Sequence, residues 1–176
     1  MEDIDKKIKN MELIIAMRML QEEDTMENRN RMINEMMKSK FVTPATIDPK
    51  DEERVRSNKN KDARTSVQVS FKIVKSPDGR KFLPAFTDTV QYDKWKERSG
   101  IKGGLRNMIM NFDVYAQYIL NSNGDLDGFI INPYGENIVF TTNLIKSIIM
   151  RKAQHLSQEN EKKIQAARAK EGSKEE

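Results

Sequence analysis

Apolar residues recur at helical spacing through the first forty residues, which predicts two N-terminal helices. The first should end near residues 21–24, and one apolar stripe consists of Ile4, Ile8, Met11 and Ile15. The stripe is widened by Leu13, Ile14, Met17 and Leu20, so this helix should be largely covered. The second should cover about residues 25–38, with an inward face formed by Met26, Met32, Ile33, Met36 and Met37. Residues 41–44 should then be extended, because the residue before Pro44 avoids the α region.

Alternating apolar and polar residues predict the first strands of a sheet. One half-buried strand should carry on one face Val67, Val69, Phe71 and Ile73. Residues 75–79 supply turn chemistry, and residues 81–86 should return as the partner strand of a hairpin. Pro84 has no N–H to donate, so its part of the strand should lie at a sheet edge or a bulge.

The chain is organised around residues 112–140. A helix should begin there with Asp113 as its cap and end at residues 121–124, which tolerate positive φ. Its inward face should consist of Val114, Tyr115, Tyr118 and Ile119. A short apolar run at residues 129–131 predicts a buried strand, and we expect Gly135 to take a positive φ in the tight turn that follows.

One aromatic and one aliphatic residue should anchor the core of this domain. Phe86 ends the return strand of the hairpin, and Ile130 lies in the middle of the buried strand, so we expect both side chains to be covered. Trp95 lies on a helix that starts near residues 87–89, and it should pack onto the sheet.

Two stretches are too polar to contribute to a core. Residues 48–64 include Val55 and Ala63 but are otherwise polar or charged, which predicts a long polar loop. From Arg151 onward the chain is rich in Lys, Glu, Gln and Ala, which predicts a helical extension. We therefore expect one domain over residues 1–152 and a charged helical tail over residues 153–176.

These elements predict an α+β fold. Two N-terminal helices, a β-hairpin and later helix–strand units should form a mixed sheet packed by helices, with a C-terminal helical extension. The chain has no cysteine, which excludes disulfide scaffolds, thiolate zinc sites and a cysteine nucleophile. Neither a signal-peptide pattern nor a run long enough to cross a bilayer is present, so we expect a cytoplasmic protein without a membrane contact.

The sequence offers little catalytic chemistry. His155, the one histidine, lies in the charged tail, which excludes a histidine-based triad or metal site within the core. Residues 123–128 resemble the first half of a calcium loop, but Tyr134 stands where the bidentate glutamate is required. Asp113, Asp125 and Asp127 leave open an acidic catalytic site. We expect no enzyme activity, no cofactor and no metal.

Three segments, in order, carry a resemblance to a known family. The early helices end in the Phe-Val-Thr-Pro of residues 41–44, and the Phe-Leu-Pro-Ala-Phe-Thr-Asp of residues 82–88 precedes the helix with Trp95. The Asp-Gly-Phe-Ile-Ile-Asn-Pro-Tyr-Gly of residues 127–135 precedes a strand and a helix that begins near Leu144.

Together these segments resemble the SseB N-terminal domain family, named from the bacterial enhanced serine sensitivity protein. The resemblance covers roughly residues 8–150. It implies an α+β domain with a hairpin and later α/β units, in agreement with the reading from the residues. It implies no reaction, cofactor or catalytic residue that can be carried over. This chain also ends after one such domain, so a role that needs a further C-terminal domain does not transfer.

We therefore favour a non-catalytic protein-interaction module whose protein partner is not identified by the sequence. The loop rim that best fits such a surface consists of Trp95, Asn132, Pro133 and Tyr134. The C-terminal helix or an edge strand offers a route to a homo-oligomer. The first alternative is a nucleic-acid-binding protein that uses the basic loop over residues 56–64 and the tail, through Lys59, Lys61, Arg64, Arg151, Lys152, Lys162 and Lys163. The second is a small-ligand enzyme with a site in the acidic loop.

Overall fold

The computed structural model describes residue 8 and residues 10–48, 50, 68–101 and 103–172, with side chains described as far as residue 165. Three expectations fall outside this part of the chain. Almost all of the polar loop predicted over residues 48–64 lies there, as do Ile4 of the first predicted helix and Val67 of the first predicted strand. The prediction of an α+β fold is confirmed: the helices and strands below form two sheets packed by helices, with a C-terminal helix.

Both N-terminal helices are present, as α1 (Met11–Glu22) and α2 (Met26–Lys38), and they pack against each other. Thr25 caps α2 by accepting the N–H of Asn28 at 3.2 Å. The side-chain amide of Asn28 donates to the carbonyl of Glu23 at 2.8 Å and so closes the end of α1. Because Asn28 occupies the inward position of this first turn, Met26 is exposed, and the prediction that it faces in is wrong.

The apolar surface predicted for α1 is covered in part. Leu13 and Met17 are buried as predicted, together with Ala16, whereas Met11 and Ile15 are exposed. The prediction that the helix is largely covered is therefore wrong for the Met11 and Ile15 side. The apolar residues of α1 extend around much of its circumference, and packing covers only one side of it.

The first sheet is antiparallel and has the strand order β2-β1-β5. Its central strand β1 (Lys40–Ile47) pairs with β2 (Val69–Phe71) on one side and with β5 (Arg106–Asn111) on the other. The predicted extended segment at residues 41–44 is therefore confirmed as part of β1. Across the β1–β5 pair, Val42 lies opposite Ile109.

The second sheet is mixed and has the strand order β3-β4-β6-β7. It contains β3 (Val74–Lys75), β4 (Lys81–Ala85), β6 (Gly128–Ile131) and β7 (Ile138–Thr141). β3 and β4 form an antiparallel hairpin around the predicted turn, whereas β4 and β6 are parallel. The strand over residues 67–73 was predicted to be the partner of residues 81–86, and this is wrong, because its described part pairs with β1 as β2.

The strand predicted over residues 67–73 appears in the first sheet as β2, and the chain enters the second sheet directly after it, at β3. Lys72 donates its N–H to the carbonyl of Pro44 at 3.0 Å, which holds β2 in the first sheet. Two residues later, Val74 already pairs with Phe82 in the second sheet. The adjacent apolar residues Ile73 and Val74 break the alternation, and this break marks the change of sheet.

Pro84 lies where β4 changes its neighbour. Lys81 and Ala85 direct their carbonyls to β6, so the alternation of the strand places the nitrogen of Pro84 on the opposite side. On that side β3 has already ended, and the next pairing is the bridge between Phe86 and Val42. No strand therefore lies beside Pro84 to accept a hydrogen bond from an N–H at this position. This agrees with the predicted place of Pro84 at a locally unpaired edge.

Two further helices complete the part of the chain that positions the loops. Asp88 caps α3 (Thr89–Arg98) by accepting the N–H of Gln91 at 2.8 Å. Asn111 caps α4 (Phe112–Leu120) by accepting the N–H of Val114 at 3.1 Å. The predicted cap Asp113 instead lies in the first turn of α4.

The core is aromatic where α4 meets the sheets. Tyr115 packs edge-on against Phe41, and Phe129 stacks face to face on Phe140 with their ring centroids 4.7 Å apart. The predictions that Phe86 and Ile130 are buried are confirmed. Val114 and Tyr118, predicted to face in, are exposed instead, because α4 turns Phe112, Tyr115, Ala116 and Ile119 to the core.

The chain divides into two compact units, Met1–Phe140 and Thr141–Glu176. The second contains α5 (Thr142–Gly172). In the first turn of α5, the N–H of Leu144 donates to Thr141 Oγ1 at 3.4 Å. The charged tail predicted from residue 153 is the later part of this helix.

Candidate interaction site

The loop over residues 132–137, between β6 and β7, holds non-glycine residues in the left-handed region. The angle φ is +47° at Asn132, +73° at Tyr134 and +56° at Asn137. Asparagine tolerates this conformation, whereas a bulky side chain such as that of tyrosine costs about 1–3 kcal/mol there. Gly135 was predicted to take the positive φ, and this is wrong, since its φ lies outside that region. A β-carbon at Gly135 would instead lie 2.9 Å from the Gln91 side-chain oxygen.

Asn132 is fully buried and fixes the loop to the start of α3. Its Oδ1 accepts the N–H of Thr87 at 3.0 Å, and its Nδ2 donates to Thr87 Oγ1 at 2.9 Å and to Glu136 Oε2 at 2.8 Å. Its backbone N–H donates to Ala85, and its carbonyl accepts the N–H of Gly135. These bonds on both sides of Tyr134 hold it in its strained conformation.

Tyr134 presents its ring to solvent. Its side chain is 57% exposed, so burial of the ring does not offset the backbone strain. The guanidinium of Arg98, at the end of α3, lies 5.5 Å from the ring centroid. Such cation–π pairs contribute about 0.5–1 kcal/mol at exposed sites. The ring is therefore held in a defined position at the surface of the loop.

Of the four residues predicted to form the interaction surface, Tyr134 is the exposed one, and Trp95, Asn132 and Pro133 are buried. Trp95 packs onto Phe86, with ring centroids 5.4 Å apart. This places it on the sheet as expected from the sequence. The three buried residues support the loop from inside, and contact with a partner through this rim stays a prediction that depends on Tyr134.

A groove of about 670 Å³ runs from this loop to the β3–β4 hairpin. We call it the hairpin groove. Its apolar floor is formed by Val74, Phe82, Ile130 and Val139, and Pro133 and Tyr134 form one wall. In the register of the second sheet, Val74 lies opposite Phe82, and Pro84 lies opposite Ile130, so these residues share one face of the sheet. Grooves of this size accommodate a few side chains of a ligand or peptide.

The rim of the hairpin groove is basic. Among its described lining residues, the charged side chains belong to Lys75 and Arg80. Arg80 lies over the ring of Phe82 and forms an ion pair with Asp78 at 2.7 Å. Hydrogen bonds from Ser76 and from Arg80 lower the pKa of Asp78, so its carboxylate stays charged and offsets part of the Arg80 charge. Lys75 is exposed, and no ion pair is recorded for it within the described residues.

A second groove, of about 550 Å³, lies between α4 and the β2–β3 connection. We call it the helix groove. Its walls contain the exposed or half-buried apolar side chains Phe71, Ile73, Val114 and Tyr118. Tyr118 packs edge-on against Phe71 at 4.9 Å. This apolar surface accounts for the residues of α4 that were predicted to face the core.

The acidic residues predicted as an alternative catalytic site have different surroundings. Asp125 lines the helix groove, and Asp113 is exposed in the first turn of α4. Asp127 accepts the N–H of Lys81 at 2.7 Å, while its own N–H donates to the carbonyl of Lys81. Asp127 thus extends the β4–β6 pairing. Within the described residues, no group of three acidic, histidine or cysteine side chains converges on a common point.

The basic residues of the nucleic-acid alternative fall into two groups. Lys59, Lys61 and Arg64 lie outside the described residues. The other four, which are exposed on α5, are Arg151, Lys152, Lys162 and Lys163. His155 lies on the same helix, with Nδ1 3.6 Å from a carboxylate oxygen of Glu159. Nucleic-acid binding stays a prediction.

Sequence reasoning missed both grooves as surfaces. The signal for the hairpin groove was present in the strand pattern, because Phe82, Pro84 and Ile130 share one face, but finding it required the parallel register of β4 and β6. The strain at Tyr134 had no sequence signal, since the neighbouring glycine offered a simpler turn.

In the described residues, no helix is both long and apolar enough to cross a lipid bilayer.

Comparison with known families matches the model of the SseB protein N-terminal domain to residues 14–147, which is more than half of the chain. No curated protein and no solved structure gives a significant match. The matched segment includes both sheets and the loop over residues 132–137.

Proposed function

Because the chain belongs to the SseB protein N-terminal domain family, we propose that it acts as a non-catalytic protein-interaction module. The partner binds in the hairpin groove and contacts Tyr134. The observation that carries this proposal is the exposed ring of Tyr134, held at positive φ beside a groove with an apolar floor and a basic rim.

The strain at Tyr134 supports a binding role rather than a packing role. Left-handed backbone at a bulky residue persists only where surrounding bonds hold it, and such positions cluster at binding sites. Asn132 supplies those bonds. Tyrosine and arginine are also the residues that contribute most often to binding hot spots, and here Tyr134 and Arg98 are paired.

The charges of the groove define the chemistry of the partner. Lys75 and Arg80 lie on the rim above an apolar floor, and Arg98 lies beside Tyr134. A segment with a large apolar side chain next to Asp or Glu complements both features. The apolar side chain packs against the half-buried Val74 and Val139, and the carboxylate approaches Lys75. Opposite charges at the rim should mainly accelerate association, so binding should weaken as salt is added.

A random-peptide display library on the immobilised protein tests this proposal. We expect enrichment of peptides in which a large apolar residue adjoins Asp or Glu. Selected peptides should lose at least tenfold in affinity for Tyr134→Ala and for Lys75→Glu. They should bind unchanged to Val114→Lys, which alters the helix groove and leaves the hairpin groove intact. The expected NMR shift changes lie at residues 74–82 and 130–139.

Two results contradict the proposal. Selected peptides that bind Tyr134→Ala as tightly as the wild-type protein would place the site elsewhere. Enrichment of basic peptides would contradict the assigned partner chemistry. Circular dichroism should show that Tyr134→Ala and Lys75→Glu are folded, so that a loss of affinity is not due to unfolding. Both variants should fold because both substituted side chains are exposed.

A further inference from the structure

The strand β5 is the open edge of the first sheet. Among the described residues, β1 lies on one side of β5, and no further strand lies on the other. At six residues, β5 is also longer than the edge strands β2, β3 and β7. An edge of this kind carries backbone donors and acceptors that pair readily with another strand.

Three residues of β1 direct their backbone groups away from β5. The carbonyl of Lys40 accepts a hydrogen bond from Asn10 Nδ2 at 2.7 Å. Val42 exchanges both of its backbone hydrogen bonds with Phe86, at 2.9 Å each. The carbonyl of Pro44 accepts the N–H of Lys72 at 3.0 Å. These three positions are therefore the non-hydrogen-bonded members of the β1–β5 ladder.

Their partners in β5 must then direct their backbone groups outward. The register pairs Lys40 with Asn111, Val42 with Ile109 and Pro44 with Asn107. In a non-hydrogen-bonded antiparallel pair, the N–H and C=O of both residues point away from each other. Asn107 and Ile109 thus present both their N–H and C=O groups at the free edge of the sheet. Asn111 presents its N–H there, because its carbonyl, as that of the N-cap residue, begins α4.

This edge lacks the usual protection against pairing. Proline, lysine or an acidic residue at outward positions commonly prevents edge-to-edge association. Here the outward residues are two asparagines and Ile109, whose side chain is 37% exposed. Arg106 lies at the first position of the strand, outside this row.

The sequence of β5 is self-complementary around Ile109. Residues 107–111 read Asn-Met-Ile-Met-Asn, which is the same in both directions. Two antiparallel copies related by a two-fold axis at Ile109 therefore place Asn opposite Asn, Met opposite Met and Ile opposite Ile. No charge is brought against a like charge. Because Ile109 points its N–H and C=O outward, it forms a reciprocal hydrogen-bonded pair with Ile109 of the second copy.

We propose that the occupant of this edge is a second copy of the chain. The two three-stranded sheets join through β5 into one continuous antiparallel sheet, with Ile109 on the two-fold axis. The interface is isologous, and each copy contributes residues 107–111. This pairing is independent of the hairpin groove, which lies on the second sheet.

Charged substitutions at Ile109 test whether the two-fold axis of the dimer lies at this residue. Sedimentation velocity at micromolar concentrations should give a dimer for the wild-type chain and a monomer for Ile109→Lys and for Ile109→Glu. Each single variant opposes like charges across the axis. An equimolar mixture of the two variants should regain the dimer, because opposite charges then meet. Val114→Lys, an equally exposed apolar position on α4, is the matched control and should stay dimeric.

Cysteine trapping tests the register. The chain has no cysteine, so single substitutions give unambiguous cross-links. Under oxidation by diamide, Ile109→Cys should form a covalent dimer, since paired strand residues lie about 5.5 Å apart at Cα, within disulfide range. Asn107→Cys alone should not cross-link, whereas a mixture of Asn107→Cys and Asn111→Cys should.

Three results would overturn the proposal: a monomeric wild-type chain, a dimeric Ile109→Lys, or a mixture of Ile109→Lys and Ile109→Glu that stays monomeric. Cross-linking of Asn107→Cys to itself indicates a different register and contradicts the axis at Ile109. Far-ultraviolet circular dichroism confirms that each variant is folded.

Discussion

Thr87 and Asn132 form two hydrogen bonds with each other, although they are 45 residues apart in sequence. The backbone N–H of Thr87 donates to Asn132 Oδ1, and Asn132 Nδ2 donates to Thr87 Oγ1. Asn132 also bonds Glu136, within its own loop. One buried amide therefore connects the loop over residues 132–137 to the segment that caps α3.

Asn132→Ala should destabilise the fold by about 2–4 kcal/mol, because it leaves the Thr87 N–H and the Glu136 carboxylate without partners. Asn137→Ala is the matched control. Both positions have positive φ, but Asn137 is exposed, so its substitution should cost about 1 kcal/mol from backbone strain. Urea unfolding measures both. Equal losses for the two variants would show that the hydrogen bonds of Asn132 add nothing.

Phe86→Ala should lower the free energy of unfolding by about 3–5 kcal/mol. The side chain is fully buried and contacts the rings of Tyr92 and Trp95. Val90→Ala, on the exposed face of α3, should change stability by less than about 0.5 kcal/mol. Chemical denaturation compares the two, and a Phe86→Ala protein as stable as wild type would remove Phe86 from the core.

Tyr134→Asn should be more stable than the wild-type chain by about 0.5–1 kcal/mol. Asparagine tolerates positive φ, and this relief exceeds the lost contact with Arg98. Thermal unfolding followed by circular dichroism provides the measurement. A loss of stability would mean that the tyrosine ring stabilises the loop, which would weaken the argument that its strain serves binding.

Stability should fall at high pH because of Tyr115. Burial raises the pKa of this phenol well above its ordinary value, and hydrogen bonding with Thr43 acts in the opposite direction. The folded state thus retains the proton after the unfolded state has lost it. The stabilisation is complete below about pH 10 and is lost as pH rises toward the folded pKa.

Urea midpoints between pH 8 and pH 11 test this dependence. Tyr115→Phe should be less stable at neutral pH, since the hydrogen bond from its hydroxyl to the Pro84 carbonyl is lost, but its alkaline decline should be shallower. Tyr118→Phe, at an exposed position of α4, should follow the wild-type decline. Parallel curves for all three proteins would exclude Tyr115 as the group responsible.

The local signals of the sequence were sufficient for most elements. The predicted helix starts near residue 25 and residues 87–89 are confirmed, with Thr25 and Asp88 as the caps, and α4 ends at Asn121 within the predicted range. The apolar positions of α1 predicted the helix and its buried residues Leu13 and Met17, but not that Met11 and Ile15 stay exposed, because packing covers only one side of the helix. The cap of α4 is Asn111 rather than Asp113, since β5 continues directly into the helix.

The non-local relationships lay beyond the pattern. The strand predicted over residues 67–73 was expected to pair with residues 81–86, but β2 pairs with β1, and the short β3 that follows it pairs with β4. Which strand is an edge depends on strand order, which periodicity does not encode. The palindrome at residues 107–111 was readable in the sequence, but it acquired meaning only when the outward direction of Ile109 was known.

The bridge between Val42 and Phe86 connects the backbones of the two sheets directly. Both sheets have their own ladders, and their backbones are joined by this reciprocal pair of hydrogen bonds. Separation of the two sheets at this place therefore breaks both hydrogen bonds, and Pro84, two residues before Phe86, has no N–H that could add another backbone bond. We expect the backbone N–H groups of Val42 and Phe86 to exchange with deuterium at similar rates. This exchange rate should report how often the bridge opens while each sheet stays intact.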